Sequence, residues 1–113
     1  MDEAAIRDVF ASLGPVRMRR MFGGTGIYAD DVMFALEAYG EIFLKVDTIS
    51  QPAFRDASSR PFVYETDGRR VEMSYWLLPE EAHDDADAAA AWARLALEAA
   101  RRGKAQGSGR KKR

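Results

Sequence analysis

The sequence predicts an α+β fold, one mainly antiparallel sheet with helices over one face, in the order α-βββ-α-ββ-α. Three observations carry this. The apolar period is 3.6 up to residue 14, falls to 2 over most of 16–78, and returns to 3.6 after 85. The period-2 runs are separated by two-residue turns, which exclude parallel crossovers between them. The chain has 113 residues, 47% of them apolar, enough for one core and too few for a second domain.

Ile6, Val9, Phe10 and Leu13 form one helical stripe, capped by Asp2 and stopped by Gly14-Pro15. Val16–Phe22 leads through Gly23-Gly24-Thr25-Gly26 into Ile27-Tyr28-Ala29, followed by Val32–Ala38 and Glu41–Val46. Asp30-Asp31 and Tyr39-Gly40 are the turns. Residues 49–57 read as a short helix anchored by Phe54, with Pro52 tolerated near its start. Pro61–Thr66 and Arg69–Trp76 meet across Asp67-Gly68, the signature of a type I′ hairpin. Acids crowd the start of an Ala-rich helix over about 85–102, and Arg101 and Arg102 end it, complementing the macrodipole. Its inward stripe is expected to be Ala88, Trp92, Leu95 and Ala99. Ile6, Phe10, Phe34, Leu44, Met73 and Trp92 are expected to be buried.

Charge is balanced in total, with 17 bases and 18 acids, but not along the chain. Residues 101–113 hold seven bases and no acid, which leaves residues 1–100 at net −8. The expected organisation is a folded domain over 1–102 and a basic tail over 103–113, disordered and ending in Arg110, Lys111, Lys112 and Arg113. An acidic body is a poor phosphate-binding surface, so nucleic-acid contact is expected to be at most weak and confined to that tail. The absence of cysteine excludes disulfides, catalytic thiols and thiolate metal sites. The N-terminus has no signal-peptide pattern and no run of residues is apolar enough to span a membrane; a cytoplasmic location is expected.

Signs of chemistry are few. His83 is the only histidine, and acids beside it at a helix start are explained electrostatically, so no metal or other cofactor is expected. The serines lack a Gly-x-Ser-x-Gly elbow. Gly23-Gly24-Thr25-Gly26 falls between strands rather than before a helix, so it reads as a bend where a Cβ would clash and not as a phosphate loop. Arg17, Arg19 and Arg20 form a basic cluster on an exposed strand, Arg20 facing away from the other two. The fully apolar sets, Ile42/Leu44/Val46 and Val71/Met73/Tyr75/Leu77, are expected beneath the helices. The mixed sets then place Phe43, Lys45, Ser74 and Trp76 on the open sheet face, as an interaction surface or packed under the chain's own loops.

Arg20-Met21-Phe22-Gly23-Gly24, Gly26-Ile27-Tyr28, Val32-Met33-Phe34, Phe43–Asp47, Pro61–Tyr64, Met73–Trp76, Pro79-Glu80-Glu81 and the Trp92-Ala93 helix together resemble the TfoX/Sxy family, in its N-terminal domain, over about residues 3–102. The resemblance implies the fold order above and a regulatory role. Its best-known members are bacterial regulators of natural competence that act as transcriptional co-activators beside the cyclic-AMP receptor protein, with a helical domain following the one matched here. The function expected is a non-enzymatic regulatory module binding another protein, such as the transcription machinery, or a second copy of itself. The alternative is a small-molecule or nucleotide-binding domain using Arg19, Arg20 and Lys45 around the Gly23-Gly24 bend.

Overall fold

A computed structural model describes residues 1–21 and 23–111, with side chains to residue 106. Six strands form one sheet in the order β1-β2-β3-β4-β6-β5, every neighbouring pair antiparallel. The elements are α1 (Glu3–Val9), β1 (Arg17–Met21), β2 (Gly24–Ala29), β3 (Val32–Ala38), β4 (Glu41–Lys45), α2 (Gln51–Asp56), β5 (Pro61–Thr66), β6 (Arg69–Leu77), a single 3₁₀ turn (Glu80–Ala82) and α3 (Ala86–Lys111). Four strands, not three, precede α2. The Arg-rich run pairs with β2 along its whole length as a separate edge strand, which its three exposed arginines suit.

Local chemistry fixes the element ends. Asp2 Oδ1 accepts from the Ala5 amide at 2.9 Å to cap α1, and Gly14 takes φ +122° beyond it. Asp67 and Gly68 both have positive φ, as a type I′ turn requires, and so do Tyr39 and Gly40. Asp85 Oδ1 accepts from the amides of Asp87 and Ala88, so the acid next to His83-Asp84 caps α3. His83 itself is exposed.

The core lies between the sheet and the three helices. Ile6, Phe10, Ile27, Phe34, Ile42, Leu44, Phe54 and Leu78 are its largest fully buried side chains. A bulge lets β3 contribute twice: Ile27 pairs with Ala35 but Tyr28 with Met33, so Phe34 is extra. Phe34 and Ala35 both become fully buried, and Phe34 meets Phe10 edge-on at 5.2 Å. α3 packs Ala89, Ala93, Ala96, Leu97 and Ala100 into the core, a stripe one position on from the expected one; of the expected set Ala99 is buried, while Ala88, Trp92 and Leu95 are half-buried. Alanines let the helix axis lie close to β3 and β4.

Two residues expected in the core are half-buried. Trp92 packs on Phe54 at 4.8 Å and donates its indole N–H to Glu81, so its polar end stays at the surface. Met73 lies on the other side of the sheet. α3 also runs to Lys111, past the expected end at 102, and its basic residues from 101 to 104 are engaged. Arg101 pairs with Asp30 at 2.6 Å, Arg102 makes a two-pronged contact with Asp47 at 2.7 and 2.9 Å, and Lys104 pairs with Asp31. The side chains of Arg110, Lys111, Lys112 and Arg113 lie outside the described residues. No described helix is long and apolar enough to cross a membrane.

Candidate functional site

Register settles which side chains share a face. Phe43 stands opposite Leu77, Leu44 opposite Trp76, and Lys45 opposite Tyr75. Trp76 therefore belongs with Leu44 under the helices, only 8% exposed, and is not on the open face. Ser74 follows Trp76 by alternation and is exposed near the sheet margin, where its Oγ accepts from Lys45 Nζ at 2.8 Å. The expected quartet is thus split: Phe43 and Lys45 lie on the helix-free face, Trp76 on the covered one. The fully apolar set Val71/Met73/Tyr75/Leu77 faces away from the helices, the reverse of the expectation. Both alternating sets of β6 carry large apolar groups, so composition could not choose between them; pairing with β4 does.

A row of partners, Arg19–Gly26–Leu36–Phe43–Leu77, crosses the helix-free face from the β1 edge to β6. Phe43 is 2% exposed and Leu36 8%, though neither belongs to the helix-covered core. Neighbours on the same face cover them. Phe62 packs on Phe43 at 4.9 Å and reaches Tyr39 at 6.4 Å, while Met21 and Met33 close over Gly26. A Cβ on Gly26 would lie 2.8 Å from Met21 Cε, and one on Gly24 would collide with the Glu37 carbonyl oxygen. The glycine run is thus a site of close approach between strands, as expected from its place in the sequence.

At one end of this face stand two tyrosines, each beneath a cation. The Arg17 guanidinium lies 5.6 Å from the Tyr28 ring centre and Lys45 Nζ 5.3 Å from that of Tyr75. Burial, with Tyr28 as a lesser cause, pushes the Tyr75 hydroxyl up to about 12. Beyond the tyrosines the β5–β6 hairpin carries Tyr64 opposite Val71, 46% and 42% exposed.

Two clefts flank these features. One of about 710 Å³ runs from Lys45, Ser74 and Tyr75 to Asp47, Arg102 and Lys104. Two of its cations are already held by Asp47 and Asp31. The Arg102 hydrogen bond drives the Asp47 carboxyl far below the usual carboxylate range, and that of Lys104 lowers Asp31. With a depressed folded-state pKa, the stability that Asp47 contributes is full above about pH 4 and is lost progressively as pH falls from there through the lower folded-state pKa.

The second cleft, of about 560 Å³, joins Arg19, Arg20, Gly23, Gly24 and Thr25 to the Met1 amine. Asp2, Glu3 and Glu37 line it too, so its charges balance. Arg17 is elsewhere, donating to the Asp30 carbonyl at 2.7 Å, and Lys45 lines the other cleft. The basic cluster does not converge as an anion site would require.

A family model described as the TfoX N-terminal domain matches residues 8–100. The chain belongs to the TfoX N-terminal domain family. No curated protein matches it. In this TfoX N-terminal domain, several of the residues that carried the resemblance build the helix-free face: Gly26, Met33, Phe43, Lys45, Phe62, Tyr64 and Tyr75 all stand on it. Phe22 lies outside the described residues. The sequence reading missed Tyr28, Phe62, Tyr64 and Tyr75 as surface elements. The signal available was the aromatic spacing of the two period-2 runs, Phe62/Tyr64 and Val71/Met73/Tyr75, each apolar at alternate positions.

Proposed function

We propose that this domain is a non-enzymatic regulatory module that binds another protein through its helix-free sheet face, acting in the cytoplasm as a transcriptional co-regulator of the TfoX/Sxy type. The observation that carries this reading is the uncovered β5–β6 surface. Tyr64 and Val71 stand paired and exposed, continuous with Phe62, Met73, Tyr75 and Leu77. Contiguous exposed apolar surface in a small domain marks a contact site, and aromatic groups dominate such contacts. Membership of the family supports the regulatory role, and the competence link follows from the relatives named in the resemblance.

The test is affinity capture from nuclease-treated lysate with the wild-type chain, with Tyr64→Ala/Val71→Asp, and with Arg94→Glu on exposed α3 as control. The reading requires a defined protein that wild type and the α3 variant retain and the hairpin variant loses. Equal recovery by all three would refute it.

A further inference from the structure

Resting on the reading of the helix-free face as a docking surface, we infer that its partner is a protein segment presenting carboxylates around apolar side chains, not a nucleic acid and not a second copy of this chain. The charge of the face carries this. Residues 1–100 are net acidic and their other bases lie elsewhere, yet the helix-free face itself carries more bases than acids. Arg17 and Lys45 stand over the tyrosines of the helix-free face, Arg19 lies at its β1 edge where it also borders the charge-balanced cleft beside α1, and alternation adds Arg69 at the hairpin tip. The one acid placed there by register, Glu41, is held by Arg60 at 3.7 Å. Glu80, Glu81, Asp84, Asp85 and Asp87 lie exposed on the helix side. The face thus has an apolar centre and a cationic rim among the described residues. That pattern complements a segment of opposite charge and steers its approach.

The aromatic geometry separates protein from nucleic acid. Single-stranded nucleic acids use free ring faces for base stacking. Here the two rings nearest the cations, Tyr28 and Tyr75, are already faced by Arg17 and Lys45, and Phe62 is packed between Phe43 and Tyr39; among the described residues the exposed rings, Tyr39 and Tyr64, have no cation over them. Arg17 also donates to the Asp30 carbonyl and Lys45 to Ser74 Oγ, neutral acceptors that hold each cation in place without cancelling its charge. Symmetry argues against a second copy. A face-to-face dimer would bring Arg17, Arg19 and Lys45 against their own copies, and docking onto the acidic helix side would be head-to-tail and open-ended.

The probes are three twelve-residue peptides and an oligothymidylate of twelve nucleotides, titrated into the isotopically labelled full chain and followed by backbone NMR shifts. In the first peptide Glu and Asp flank Leu and Phe; in the second Gln and Asn replace the acids; in the third Lys does. The acidic peptide is expected to shift amides of β4, β6 and the hairpin, and to bind at least tenfold more tightly than the neutral one. R17Q/R19Q/K45Q, with its fold checked by circular dichroism, should erase that tenfold advantage. Equal binding of acidic and neutral peptides at this face would overturn the acidic partner and leave the docking reading standing. Tighter binding of the oligothymidylate, self-association of the free chain through the face, or no peptide binding at all would also overturn it. Peptide shifts confined to the helix side would sink both.

Discussion

Leu44 and Phe43 are consecutive in β4 and both nearly inaccessible, yet they are buried in different ways. Leu44 lies under α3 in a layer of aliphatic groups, phenylalanines and alanines. Phe43 lies in a thinner layer made by the sheet's own side chains: Phe62, Leu36, Leu77 and the thioethers above Gly26. The covered side draws its stability from depth, with Glu37 and Ser50 its only buried polar side chains among the described residues. The helix-free face mixes tyrosines, methionines and cations, which tolerate water and adapt to a partner. One sheet therefore has its folding core on one side, and on the proposed reading the other side is left for recognition.

The largest expected effect tests that division at Trp76. Trp76→Ala should cost about 3–5 kcal/mol of stability in denaturant unfolding, because it empties a site beneath the helices. A cost below about 1 kcal/mol would return Trp76 to the open face.

That residue also marks where sequence reading stopped. The fold class, the Asp67-Gly68 hairpin and the burial of Ile6, Phe10, Phe34 and Leu44 follow from local patterns: period, turn chemistry and capping. The side of β6 that meets the helices does not, because Trp76/Leu78 and Tyr75/Leu77 are equally apolar and only the cross-strand register distinguishes them. The bulge at Phe34 is hidden for the same reason, since two inward neighbours break the alternation from which faces are read. Phe43 and Lys45 were legible as outward-facing. The cations over Tyr28 and Tyr75 join residues far apart in the chain, and no local pattern announces them.

Glycine substitutions sharpen the contrast between rigid and yielding surroundings. Gly24→Ala drives a Cβ into the Glu37 carbonyl oxygen and should cost about 1–3 kcal/mol. Gly26→Ala meets only the ends of Met21 and Met33, which can swing aside, so its cost should stay below about 1 kcal/mol. Thermal unfolding of the pair checks the order.

A smaller effect, confined to alkaline pH, reads the burial of Tyr75. Its folded-state pKa is raised to about 12 from 10.0, so its contribution is full below pH 10 and is lost as pH rises through about 12. Stability of wild type should fall over that window more steeply than that of Tyr75→Phe; parallel curves would mean that Tyr75 is solvated. Smallest of all, Val71→Lys should change stability by no more than about 0.5 kcal/mol, since the side chain is 42% exposed away from the helices.

The most direct test of the docking face is photo-cross-linking in living cells, with the reactive residue placed in turn at Tyr64 and Val71 on the hairpin and at Arg94 and Glu98 on exposed α3. Cross-links from Tyr64 and Val71 to one protein, lost when Arg17 and Lys45 are changed to Gln, are the predicted result. The same protein captured from Arg94 and Glu98, with the hairpin positions silent, would contradict the account.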